Sequence, residues 1–211
     1  MNGNDEIFDL QNVKEIKESP IKNRMIAYLG SSVTYGYKSE GVSFVEYISK
    51  RNSSYYIKEA VSGTTLVDNS EISYYSRLKK IDKNKKIDLF ICQFSTNDAY
   101  MKYEVKDIMV ALSNIVSYIK STWGCSVIVY TSPYFFSPYY EIMVNELKKE
   151  QTKLGIYLID MYSDEGFNKI DDNEKDLYMA DPVHPTKAGY LLWLTPYMEK
   201  EIYRVLTQTT P

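Results

Sequence analysis

Short apolar runs alternate with helical patterns along almost the whole chain, and that alternation limits the possible folds more than any other feature. Met25–Leu29 is apolar and ends at Gly30, which reads as a buried strand. Val42–Lys50 carries Phe44, Val45, Tyr47 and Ile48 at helical spacing, and Tyr55–Val61 alternates as a second strand. Ser70–Ile81 reads as a helix with a polar face. Asp88–Phe94 (DLFICQF) is a continuous apolar run, expected of a central parallel strand covered on both faces. Val105, Ile108, Met109, Leu112, Ile115, Val116 and Ile119 recur at three and four residues and form the clearest amphipathic helix. Ser126–Tyr130 then reads as a strand, Tyr139–Leu154 as a helix closed by Gly155, and Ile156–Ile159 as a strand ending at Asp160. Residues 163–176 are polar and acidic and read as a loop. Thr186–Leu206 reads as a final helix, kinked or split at Pro196. About five rounds of strand and helix predict an α/β protein, a single-domain three-layer α/β/α sandwich around a mostly parallel five-stranded sheet. Residues 1–20 read as an N-terminal extension and 21–211 as the domain.

Charge and composition narrow the partners. A formal net charge of -3 with no long basic run argues against nucleic acid or an anionic membrane surface. No stretch approaches the roughly 20 apolar residues that span a bilayer. Residues 1–24 carry Asp5, Glu6, Asp9, Lys14, Glu15, Lys17 and Glu18 in place of an apolar leader core, so a soluble, cytoplasmic protein is expected. Cys92 and Cys125 lie in apolar runs and read as small buried hydrophobes. With one histidine and two scattered cysteines, zinc has almost no ligands to draw on, and neither a metal nor an organic cofactor is expected. The 21 tyrosines read mainly as packing; Tyr35, Tyr37 and Tyr100 stand out because they flank the motifs below, with Tyr35 and Tyr100 the candidate substrate contacts.

In open α/β sheets, functional residues gather on loops after the carboxyl ends of strands. Four segments meet that condition. Gly30-Ser31-Ser32-Val33-Thr34-Tyr35-Gly36 follows the first strand and lacks the Gly-Lys-Ser/Thr ending of a phosphate-binding loop. Ser62-Gly63-Thr64-Thr65 follows the second, with a glycine that lets a backbone N–H approach a ligand. Ser95-Thr96-Asn97-Asp98 follows DLFICQF, where the Asn97 amide can serve an oxyanion or cap the next turn. The last is Asp181-Pro182-Val183-His184-Pro185, which holds the only histidine in a stiff, non-helical loop with a carboxylate three residues upstream. Asp160 also ends a strand and competes with Asp181 as the partner of that imidazole. Asp98, Asp160 and Asp181 together could instead be oxygen ligands of a metal-dependent phosphodiesterase.

The four segments, in this order and after these strands, resemble the SGNH hydrolases, also called the GDSL esterase/lipase family. Ser32 with Gly30 and Thr34 resembles the first block, Ser62-Gly63-x-Thr65 the second, Thr96-Asn97-Asp98 the third and Asp181-x-x-His184-Pro185 the last. Ser31 stands where the family usually has Asp, Ser95 where the third block has Gly, and Ala60 where the second often has another Gly. The resemblance implies an esterase acting through an acyl-enzyme. Ser32 is then the nucleophile, His184 the general base and Asp181 its orienting acid. The oxyanion is held by the N–H groups of Ser32 and Gly63 and the Asn97 side chain. The implied substrate is a short acyl ester, such as acetyl on a carbohydrate or other small molecule. Alternatives are a lysophospholipase or thioesterase-type acylhydrolase, or a non-catalytic carbohydrate-binding protein on the same fold.

Overall fold

The computed structural model of the chain describes residues 2–208. Its five strands are β1 (Met25–Gly30), β2 (Tyr55–Ala60), β3 (Leu89–Gln93), β4 (Ser126–Tyr130) and β5 (Tyr157–Ile159). They pair side by side in the order β2-β1-β3-β4-β5, and every pairing is parallel. Parallel neighbours need crossovers, and helices supply them on both faces. These are α1 (Ser32–Tyr35), α2 (Phe44–Asn52), α3 (Tyr74–Leu78), α4 (Thr96–Tyr100), α5 (Val105–Trp123), α6 (Pro138–Leu154), α7 (Asp172–Tyr178) and α8 (Thr195–Gln208).

Period-two alternation divides the central strands between two cores. Ala27, Leu29, Phe90, Cys92, Val127 and Val129 face α3, α5 and α6. Ile26, Tyr28, Leu89, Ile91, Ile128 and Tyr130 face α2 and α8. Because both faces are covered, the strands read as unbroken apolar runs. The amphipathic stripe on α5 is buried in the core that this helix shares with α3, α6 and the sheet. Cys92 and Cys125 are free thiols whose pKa burial pushes up to about 12 and about 11. Among the described residues no helix is long and apolar enough to cross a membrane.

Three segments differ from the sequence expectation. The helix expected over Ser70–Ile81 is confined to Tyr74–Leu78, because Ser73 caps it and Asp68 ties Ser70 into a preceding turn. The polar stretch 163–176, read as loop, contains the start of α7. Asp171 and Glu174 form a reciprocal capping box that nucleates this helix despite its polarity. The final helix is neither split nor broken at Pro196: it runs on through a wide π-type stretch over Gly189–Leu194 directly into α8, with Thr195 still in right-handed helical geometry. Pro196 lies directly after the change from π to α geometry, inside a helix that continues on both sides of it.

The first residues lie along the domain. Asn4 donates to the Lys38 carbonyl at 2.9 Å and accepts from the Lys187 N–H at 2.9 Å, while the Lys187 ammonium pairs with Asp9 at 2.8 Å. The strap thus joins the turn after Tyr37 to the chain just past His184.

Candidate active site

The carboxyl end of β1 turns directly into α1, and that turn carries Ser32. Gly30 is dictated by crowding: a Cβ there would lie 1.8 Å from Thr34 Oγ1 and 2.9 Å from Gln93 Oε1. Gln93 is the cause. Its side-chain oxygen accepts from Ser31 N–H at 2.9 Å, Thr34 N–H at 3.3 Å and Thr34 Oγ1–H at 2.9 Å, so a buried amide on β3 fixes the path of the serine loop. The Ser32 N–H opens the helix and has no acceptor among the described residues.

His184 reaches this serine across the sheet end. Its Nε2 lies 2.9 Å from Ser32 Oγ, and its Nδ1 lies 2.9 and 2.8 Å from the two Asp181 oxygens. An ionised carboxylate only accepts, so Nδ1 carries the proton and Nε2 is free to accept from the hydroxyl. The loop is set locally. Asp181 Oδ1 also accepts the N–H groups of Val183 and His184 at 2.9 and 2.8 Å, and Ala180 N–H donates to the His184 carbonyl at 2.9 Å. Partial burial alone would raise the Asp181 carboxyl; the Val183 N–H, the imidazole and the His184 N–H outweigh it and hold it below its ordinary value. Tyr37 packs its ring 5.3 Å from the imidazole.

The loops after β2 and β3 meet beside the serine. Gly63 has φ +80° with open space around it, so the backbone conformation requires glycine there and crowding does not. Its N–H has no acceptor among the described residues. The neighbouring Thr64 carbonyl accepts from Asn97 Nδ2 at 2.9 Å and from Ser95 Oγ at 3.3 Å. Ser95 also caps α4 by accepting the Asn97 N–H at 3.1 Å, in a backbone conformation open to any side chain. The serine that replaces the usual glycine therefore anchors the Asn97 loop. Asp98 is buried, and its carboxylate accepts the N–H groups of Leu66 and Val67 at 2.8 and 3.2 Å. Desolvation raises its pKa, with those N–H groups and Ser95 opposing.

Two groups at the site have no part in the motif reading. Gln93 is one; a polar residue inside DLFICQF was its only trace in the sequence. Arg77 on α3 is the other. Its buried guanidinium donates to the carbonyls of Gly30 at 2.9 Å, Ile72 at 2.8 Å and Glu59, and to Thr64 Oγ1 at 3.2 Å. One cation therefore ties the end of β1 to the Gly63 loop.

The remaining candidates lie apart. Asp160 is engaged by Lys148 at 3.0 Å and by Ser163 N–H at 3.1 Å, away from His184. Asp98, Asp160 and Asp181 each have separate partners, and no group of three His, Cys, Asp or Glu side chains that could hold a metal occurs among the described residues. Tyr35 is partly exposed, with the Lys58 ammonium 5.7 Å from its ring, and Tyr100 is 86% exposed.

The model of the GDSL-like lipase/acylhydrolase family matches residues 28–192, most of the chain and all four loops. The chain belongs to that family. Comparison of this GDSL-like chain with curated proteins finds no match. Solved structures share its fold. A family two carbohydrate esterase from Clostridium thermocellum, in complex with cellohexaose, superposes with a TM-score of 0.68 at 16% identity, over 88% of this chain and 65% of the other. An acetylxylan esterase from Geobacillus stearothermophilus gives 0.66 at 15% identity, over 88% and 96%. A G-D-S-L family protein from Desulfitobacterium hafniense DCB-2 gives 0.66 at 20% identity, over 84% and 99%.

Proposed function

We propose that the protein is a serine esterase that cleaves short acyl esters, with acetyl on a carbohydrate as the favoured substrate. The observation that carries the reading is the unbroken hydrogen-bonded line from Asp181 through His184 to Ser32 Oγ, drawn from loops 152 positions apart. In the proposed mechanism, His184 Nε2 takes the Ser32 proton as Oγ attacks the ester carbonyl, and Asp181 stabilises the resulting imidazolium. The tetrahedral oxyanion is met by the Ser32 and Gly63 N–H groups and by the Asn97 amide, whose second hydrogen is not committed to Thr64. Collapse expels the alcohol, which takes the proton from His184. His184 then takes a proton from water as that water attacks the acyl-enzyme, and returns it to Ser32 Oγ as the carboxylic acid leaves. Nothing in this sequence of steps calls for a metal or an organic cofactor.

Family membership supports the acyl-transfer chemistry, and two structural neighbours named as carbohydrate or acetylxylan esterases support the substrate class. Ser32→Ala and His184→Ala should each lower kcat for p-nitrophenyl acetate by about 10⁴-fold or more. Circular dichroism should show both variants folded. Wild-type turnover in either would refute the assignment.

A further inference from the structure

Beside Ser32 and His184 lies a groove of about 590 Å³ that shares only Asp181 with the chemistry above. The loop after β4 forms one wall, α7 the other, and Asp181 and Pro182 its inner end. Its place in the sheet order decides which half of an ester it can take. The oxyanion donors Gly63 and Asn97 follow β2 and β3, whereas the groove lies beyond β4 and β5, on the Asp181 side of the imidazole. His184 Nε2 must hand its proton to the leaving oxygen. The alcohol half therefore extends over His184 toward the groove, and the acyl half lies on the other side.

The lining indicates the class of alcohol. Phe135 packs on Tyr140 and Tyr162, but the flanking Phe136 and Tyr134 are 84% and 56% exposed. Tyr134 packs part of its ring on Tyr162 at 5.2 Å and leaves the rest bare, and such exposed aromatic faces on a groove wall suit a ligand that covers them. Opposite them, α7 presents Asp172, Lys175 and Asp176. With Asp181, three carboxylates face one ammonium. That balance repels a phosphate-bearing alcohol or thiol and offers hydrogen-bond acceptors to hydroxyl groups. The walls are also tied in place: Asn168 accepts from Tyr134 N–H at 2.9 Å and donates to the Met161 and Asp164 carbonyls at 2.6 and 2.8 Å. A preformed groove spends little binding energy on ordering itself.

We propose that this groove is the alcohol-side subsite and takes a neutral saccharide, apolar ring face on Phe136 and Tyr134, hydroxyl edge toward α7. The assignment rests on the esterase reading of Ser32 and His184. The test compares three acetyl donors: acetylated xylotriose, ethyl acetate, whose two-carbon alcohol is too short to fill the groove, and acetyl-coenzyme A. Phe136→Ala and Tyr134→Ala should each lower the ratio of kcat/KM for acetylated xylotriose to that for ethyl acetate by about tenfold, mainly through KM. The double change Asp172→Lys, Asp176→Lys should raise turnover of acetyl-coenzyme A relative to the saccharide. A ratio unmoved by both aromatic changes would overturn the subsite, as would a wild-type preference for acetyl-coenzyme A over acetylated xylotriose. Undiminished ethyl acetate hydrolysis by Ser32→Ala would instead overturn the esterase reading, and the subsite with it.

Discussion

The two sides of Ser32 are built on different principles. On the side of Gly63 and Asn97, where the oxyanion is proposed to lie, four buried polar groups from three elements converge: Gln93 on β3, Arg77 on α3, and Ser95 and Asp98 at α4. Each satisfies backbone groups of a loop that would otherwise be free to move. On the side of the proposed base, Asp181 and His184 are held by bonds within their own short loop and by two prolines, next to an open groove with one aromatic wall and one charged wall. Charge that develops in a transition state is stabilised best by donors that need no reorganisation. Choosing among alcohols requires exposed, varied surface. In the proposed mechanism the rigid side serves the first task and the open side the second.

The largest expected effect that sharpens this contrast is at Asn97. Asn97→Ala removes the proposed oxyanion donor and one bond to Thr64, so kcat should fall about 100- to 1000-fold with little change in KM. Steady-state kinetics on a short ester measure this, and a change confined to KM would place Asn97 in substrate binding.

Next is the pH profile of the base side. The Asp181 carboxyl is held below its ordinary value, so Asp181 stays ionised throughout the mildly acidic range in which a histidine base is lost. The sign for stability agrees. A depressed carboxyl contributes stability above the unfolded value of about 3.9, lost only as pH falls through the lower folded value. The acid limb of log kcat/KM should therefore have a slope of one in a protein that is still folded. A slope of two would mean that Asp181 titrates with the imidazole.

The smallest effect on turnover is expected from Arg77→Met. It leaves three carbonyls and a hydroxyl without their buried donor, costing about 3 kcal/mol of stability at roughly 1–3 kcal/mol per orphaned group discounted for relaxation. Thermal denaturation should show the loss, and kcat should fall about tenfold as the Gly63 loop loosens, the equivalent of about 1.4 kcal/mol in the barrier. An unchanged kcat with the full stability loss would make Arg77 a support of the fold alone.

How much of this was legible depended on what each residue faces. The continuous runs MIAYLG, LFICQ and SVIVY were readable as parallel strands because both faces are covered, and α5 because its stripe repeats without interruption. Ser32 was expected after a strand and does follow β1 directly, but the Asp181–His184 loop, also expected after a strand, follows α7 instead; what marked it in the sequence was the single histidine between two prolines. α7 was missed because its helix comes from a capping box, a four-residue signal drowned by the polarity around it. Arg77 was unreadable because nothing in a polar-faced helix marks which cation is buried. Its partners are backbone carbonyls, which leave no trace in residue types.

The most direct test of the central claim is covalent labelling of the intact protein with an organophosphonate, read by mass spectrometry. The account predicts a single adduct mapping to the peptide with Ser32, slowed drastically in His184→Ala and absent in Ser32→Ala. An adduct on another residue, or no adduct in an enzyme that still hydrolyses esters, would contradict it.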